Sequence, residues 1–355
     1  MKATTSSRTT AYLGVACAWA LAACGNFTVK GSTDGGNGGG SGGSAGGVAG
    51  NGGGNVSTTG GGGSGAGGSG AGGSSAGGAG AVDAGAGGTC SVGAWPAADP
   101  SVAGPFATMT ENNVGPAAGV GADGGAPVAF TMYRPADLAQ GGLCHPVVTW
   151  GNGTGTTPNI YRVLLTQLAS HGFVVIASNS PNVAQGTPPP MVAGVTWVLQ
   201  QNDDPTSPLY HRIDTGHVGA TGHSQGGFAT VTAGADAHIV TIAPIAGATQ
   251  SRNLHGPALL LCGGMDTTVP CSTVMTAFNG INNQPVMLAD QLAIDHANWI
   301  TFRAGAPLNP YEVAVTAWMR VHLMGDTALR PMFYGANCTL CQNTAVWQVM
   351  QKMMN

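Results

Sequence analysis

The chain has 355 residues, 61 of them Gly and only 7% charged, and about half of the Gly falls between Gly31 and Gly88. Its net charge of -4, from 11 Lys+Arg against 15 Asp+Glu, lacks the basic excess that phosphate contacts require and argues against a nucleic-acid partner. No apolar run reaches the roughly 18 to 20 residues of a membrane-spanning helix, and the Gly-rich tract cannot bury a core, so the folded domain is expected in residues 90–355.

Residues 1–23 carry Lys2 and Arg8, then the apolar small-residue stretch Ala11 to Ala20, then Leu21-Ala22-Ala23 before Cys24-Gly25. That order reads as a secretory signal. The Leu-Ala-Ala-Cys ending resembles the bacterial lipobox, which implies lipidation of Cys24 as the mature N-terminus; an ordinary cleaved signal is the alternative. Gly25 in place of Asp implies, by analogy with Gram-negative lipoproteins, an outer-membrane or cell-surface anchor. Either reading exports the protein. Residues 24–89 are then the anchor and a Gly/Ser/Ala-rich tether whose r.m.s. span is on the order of 40 Å.

From Pro146 onward, short β-rich runs alternate with helical patterns. Val147 to Trp150 reads as a strand, Ile160, Leu164 and Leu168 mark one face of a helix ending at His171-Gly172, and Phe173 to Ala177 is a continuously apolar strand of the buried parallel kind. A helix near Val192 to Gln201 precedes a strand His217 to Thr221, a helix after Ser224 and a strand Ile239 to Ala243. A strand Ala258 to Leu261, a helix Thr273 to Phe278, a strand Val286 to Ala289 and a helix Tyr311 to Leu323 complete the series. Phe106 to Thr110 and Phe130 to Arg134 add antiparallel strands at the beginning. Such alternation predicts one α/β domain with a mainly parallel sheet.

Cys17 lies in the leader and Cys24 at the anchor, leaving six of the eight cysteines, an even set that favours disulfides in an exported chain. Cys262 and Cys271 bracket a short loop that a bridge would stiffen. Partners for Cys90, Cys144, Cys338 and Cys341 stay open, and Cys338-Thr-Leu-Cys341 can also be read as a metal or redox pair. It lacks a second CxxC and neighbouring His, so no metal or cofactor is expected.

Thr221-Gly222-His223-Ser224-Gln225-Gly226-Gly227 joins a strand to a helix. The pattern G-x-S-x-G recurs inertly at Gly39-Gly40-Ser41-Gly42-Gly43, so context carries the assignment: a sharp strand-to-helix turn needs small residues at Gly222 and Gly226 to project Ser224 above the sheet. A Ser hydroxyl needs a base, and the base an orienting acid. Along such a fold the order is Ser, acid, His, which selects Asp266 after the strand Ala258 to Leu261 and His296 after the strand Val286 to Ala289. Asp290 and Asp295 are rival acids, and His322 falls in a helical pattern. His223 is expected to line the site. Oxyanion N–H donors are expected from Gln225 and from the loop Trp150 to Thr156, with Thr154 first and Gly153 as the alternative. Trp299 and Tyr161 are candidates for a substrate wall or for core.

Leu168-Ala169-Ser170-His171-Gly172-Phe173-Val174-Val175-Ile176, the elbow Gly222 to Gly227, Gly104-Pro105-Phe106 and Tyr133-Arg134-Pro135 resemble the same stretches of bacterial cutinases and polyester (PET) hydrolases, within the dienelactone-hydrolase type of α/β-hydrolase. The resemblance runs over about residues 104–325 and implies a lidless, monomeric α/β-hydrolase with Ser224, Asp266 and His296 as triad, acting on an ester substrate without a cofactor. Two positions depart from the family: its usual oxyanion-loop aromatic is Thr154 here, and its usual Met after the nucleophile is Gln225. The expected function is a surface-tethered serine esterase, of polyesters or small esters. An amidase or acyltransferase on the same triad, and a non-catalytic surface-binding lipoprotein, are the competing readings.

Overall fold

A computed structural model describes residues 90–121, 124–251, 253–300 and 307–355. The leader, Cys24 and the tether lie outside the described residues. Two strands open the fold, β1 (Thr108–Ala118) and β2 (Val128–Pro135), paired antiparallel. The alternating series follows: β3 (His145–Gly151), α1 (Arg162–Ser170), β4 (Val174–Ser178), α2 (Pro190–Asp203), β5 (Ile213–His223) and α3 (Gln225–Ala233). Then come β6 (Ile239–Ile245), β7 (Ala258–Gly263), α4 (Cys271–Gly280), β8 (Val286–Gln291), α5 (Pro310–Leu323), a short α6 (Thr339–Gln342) and β9 (Trp347–Lys352).

The nine strands form one sheet in the order β1-β2-β4-β3-β5-β6-β7-β8-β9. Strands β4 through β8 of that order run parallel, while β2 meets β4 and β9 meets β8 antiparallel. Every residue of β3, β4 and β7 is buried, as parallel strands covered on both faces must be. One face carries α1 and α5, with Leu164, Leu165 and Leu168 meeting Trp318, Met319 and Phe333. The other carries α2, α3 and α4, with Val195, Val198, Val231, Val274 and Phe278 over Val147, Val218 and Leu260. This layered sheet, with its crossover at β3/β4, is the α/β-hydrolase arrangement.

Helix α5 starts where its sequence says it should: Pro310 occupies the first helical position and Asn309 with Glu312 forms a capping box. Its Trp318 then donates to Thr241 Oγ1 of β6 at 2.8 Å, pinning the helix to the sheet. The strand β9 has no counterpart in the chain-order reading. It is a short segment close to the chain's end, and only pairing with β8 distinguishes it from a loop. Three disulfides are present, Cys90–Cys144, Cys262–Cys271 and Cys338–Cys341. The last accounts for the CxxC pair, which binds itself rather than a metal.

At the centre of the sheet the first turn of α3 lies directly against the end of β3. A Cβ on Gly226 would collide with the Gly151 carbonyl, and one on Gly222 would lie 2.6 Å from the Gly226 carbonyl oxygen. These are backbone obstacles, which cannot rotate away. Gly226→Ala is therefore expected to cost about 3 kcal/mol of stability through overpacking, read from urea denaturation; an unchanged midpoint would contradict this packing.

Candidate active site

Strand β5 ends at His223 and α3 begins at Gln225, so Ser224 alone makes the turn. Its backbone adopts φ 56° and ψ -117°, outside the regions an L-residue prefers. Two contacts hold it there: its N–H donates to Ile245 O of β6 at 2.9 Å, and its own carbonyl accepts from Phe228 N at 3.1 Å. Strain of this kind persists only where the surroundings over-determine it. The consequence is a hydroxyl standing at the N-terminus of α3, where the helix dipole favours developing negative charge.

His296 arrives from the loop after β8 and Asp266 from the loop after β7. The structure brings all three side chains together. His296 Nε2 lies 2.9 Å from Ser224 Oγ, and His296 Nδ1 lies 2.7 Å from Asp266 Oδ2. The second carboxylate oxygen of Asp266 accepts from Thr268 N at 2.9 Å and Val269 N at 2.8 Å. Burial pushes the Asp266 carboxyl up, but the bonds from His296, Val269 and Thr268 outweigh it and hold the group below the ordinary carboxylate range. An ionised Asp266 accepts the Nδ1–H, which leaves Nε2 free to accept the Ser224 proton. The rival carboxylates are elsewhere. Asp295 accepts from Ala297 N and Asn298 N, and Asp290 sits in β8 opposite Cys262 of β7 and Gln348 of β9.

The loop after β3 faces Ser224. Asn152, fully buried, ties its base: Nδ2 donates to Ser178 O and Ser180 O, and Oδ1 accepts from Trp150 Nε1 at 2.9 Å. The sequence reading gave Asn152 no role, although an Asn between glycines after a strand is a signal for such a tie. The Gly153 N–H donates to Tyr161 Oη at 3.1 Å and Gly155 N–H to Pro181 O at 2.8 Å. Gly153 is thus engaged inward, and of the two expected donors on this loop Thr154 is the one available.

Burial decides between wall and core for the two aromatic candidates. Tyr161 and Trp299 are 3% and 1% exposed, so neither forms an open wall. Trp299 packs edge-on against Tyr311, whose hydroxyl donates to the Trp299 carbonyl. Tyr161 packs on Trp150 with its hydroxyl turned toward the oxyanion loop. His223 is buried beside the site, its ring 4.8 Å from the His296 ring, and burial, with the His296 charge second, pushes its pKa down to about 3.

The unfolded chain protonates His223 near pH 6.5, the folded chain only near pH 3. Between those values the unfolded state binds more protons, so stability falls as pH falls through that window. His223→Gln is expected to flatten the slope of stability against pH by about one proton there, measured by urea denaturation at a series of pH values. An unchanged slope would mean that His223 titrates alike in both states.

A family model described as PET hydrolase-like matches residues 92–350. Among curated proteins, chloroplastic chlorophyllase-1 of Citrus unshiu and that of Citrus sinensis are each 26% identical over 145 residues, which is 38% of this chain and 43% of the relative. The chain therefore spans less than half the length of these relatives. The family match covers the sheet from before β1 into β9 and includes the Ser224 elbow, and on that match the chain belongs to the PET hydrolase-like family.

Proposed function

We propose that this protein is an exported serine esterase that hydrolyses carboxylic esters, including polyester, through an acyl-enzyme on Ser224. The observation that carries the reading is the continuous hydrogen-bond chain from Ser224 Oγ through His296 to Asp266. Membership of the PET hydrolase-like family supports an ester as the substrate class. The leader with Cys24 supports export to a surface, and the tract 24–89 supports a tether long enough to let the domain meet a bulky substrate.

On this reading each step of ester cleavage falls to a named group. Ser224 Oγ attacks the ester carbonyl while His296 Nε2 takes its proton, and the imidazolium is stabilised by the ionised Asp266. The carbonyl oxygen, now carrying charge, is met by the N–H groups of Thr154 and Gln225, the latter in the first turn of α3. His296 returns the proton to the leaving alcohol. Water, deprotonated by the same imidazole, then attacks the acyl-enzyme and releases the acid.

Met265 and Leu292, 61% and 37% exposed, stand on the two loops that carry Asp266 and His296. They give the site an apolar shoulder suited to an acyl chain or a polymer surface. Thr154 and Gln225 replace an aromatic and a Met of the resembling hydrolases, which favours aliphatic over aromatic acyl groups.

Purified protein is expected to hydrolyse p-nitrophenyl esters and to release soluble acid from suspended aliphatic polyester. Ser224→Ala should lower kcat by at least about 10⁴-fold. Turnover that survives Ser224→Ala would remove the esterase reading, and activity confined to soluble esters would remove the polyester part of it.

A further inference from the structure

Tyr161 enters the site from the 3-10 turn Pro158–Tyr161 that precedes α1. Its hydroxyl meets three groups: Gly153 N at 3.1 Å, His223 Nδ1 at 3.0 Å and Thr156 Oγ1 at 3.3 Å. One hydroxyl has one proton, so Tyr161 donates to one of its neighbours and accepts from the others. Gly153 N–H can only donate, so the oxygen accepts there. Thr156 Oγ1 spends its own proton on Gly153 O at 2.7 Å. The Tyr161 proton therefore goes to the nearer acceptor, His223 Nδ1. His223 is then the Nε2–H tautomer, with Nε2 buried and without a hydrogen-bond partner among the described residues. Burial raises the Tyr161 pKa and depresses that of His223, so neither end of this bond changes protonation near neutral pH.

The bonds act on one residue. Gly153 lacks a Cβ, and a Cβ there would lie 2.8 Å from the Tyr161 hydroxyl, so the close approach requires glycine. Glycine is also the residue whose backbone is least constrained by itself. Tyr161 fixes the peptide before it by taking the Gly153 N–H. Thr156, through N at 3.1 Å and Oγ1 at 2.7 Å, fixes the peptide after it by taking the Gly153 carbonyl. That second peptide is planar and trans, so its N–H, which belongs to Thr154, points opposite to the carbonyl. The Thr154 donor is thereby aimed away from the loop's own bonds.

We propose that Tyr161 and His223 are a paired positioning unit for the oxyanion loop, holding Gly153 so that the Thr154 N–H stays aimed at the carbonyl oxygen of the substrate bound at Ser224. The proposal rests on the esterase reading given above and deepens it. It assigns His223 a structural proton acceptor's role, distinct from the proton transfer of His296. It also places the unit between the two loops of the site, since His223 meets Tyr161 on one side and its ring lies 4.8 Å from the His296 ring on the other.

The test is steady-state kinetics on a soluble p-nitrophenyl ester with four proteins: wild type, Tyr161→Phe, His223→Leu and the double variant. A donor misaimed rather than removed costs less than loss of an oxyanion donor, so Tyr161→Phe is expected to lower kcat about 10- to 100-fold with KM within about twofold. His223→Leu should do the same, and the double variant should be no slower than the slower single, because the two act as one unit. His223→Gln, which keeps an acceptor for the Tyr161 proton, should recover part of the kcat that His223→Leu loses, and this comparison stands even where Tyr161→Phe fails to fold. A folded Tyr161→Phe with wild-type kcat, a change confined to KM, additive losses in the double variant, or equal losses in His223→Gln and His223→Leu would each overturn the positioning unit. Wild-type protein without Ser224-dependent turnover would instead overturn the esterase reading, and the positioning role with it.

Discussion

The close approach of α3 to the end of β3 is the constraint on which the site depends. Gly226 sits against Gly151 with no room for a side chain on either backbone, and this contact brings the first turn of a helix to the carboxyl ends of the central strands. Everything else follows from that placement. Ser224 must turn through a conformation with positive φ to join β5 to α3, the oxyanion loop after β3 lies within reach of Ser224, and the Gln225 N–H is left without an intrahelical partner because it opens the helix. Strain at one residue is offset by packing across the whole sheet.

The electrostatics divide two neighbouring imidazoles into separate roles. His296 is partly open, with 20% of its side chain exposed, and is held by a carboxylate that is itself fully covered. His223, 4.8 Å away ring to ring, is covered on all sides and stays neutral. A second charge so close to His296 would oppose the imidazolium that the proposed mechanism forms there. Burial of His223 removes that opposition, and its hydrogen bond to Tyr161 gives the neutral ring work as an acceptor. The disulfide Cys262–Cys271 closes the loop that carries Asp266, so the acid, the base and the nucleophile are each fixed by a different element.

Much of this was legible in the sequence because it is written in local signals. Continuous apolar runs such as Val174 to Ala177, the glycines around Ser224 and the chain order Ser224, Asp266, His296 each reflect one physical need, and the fold satisfies them together. What was not legible depends on direction and distance. For Tyr161 and Trp299 the sequence leaves wall and core both open, with core the commoner outcome for such aromatics, since a side chain's facing is invisible in a short 3-10 turn; both are buried. The pairing Cys90–Cys144 carries no spacing signature, the CxxC spacing of Cys338 and Cys341 is shared by metal, redox and disulfide pairs, and β9 becomes a strand only through its partner β8. That the Gly153 N–H is engaged by the Tyr161 hydroxyl is a matter of distance that no local signal carries.

An activated nucleophile at Ser224 is what the proposed chemistry requires above all. Reaction of the purified protein with a fluorophosphonate, followed by intact-mass and peptide mapping, tests it most directly. One adduct per chain is expected, located on Ser224, with labelling slowed when His296 is replaced by Ala. No adduct, or an adduct on another residue at a rate indifferent to His296→Ala, would contradict it.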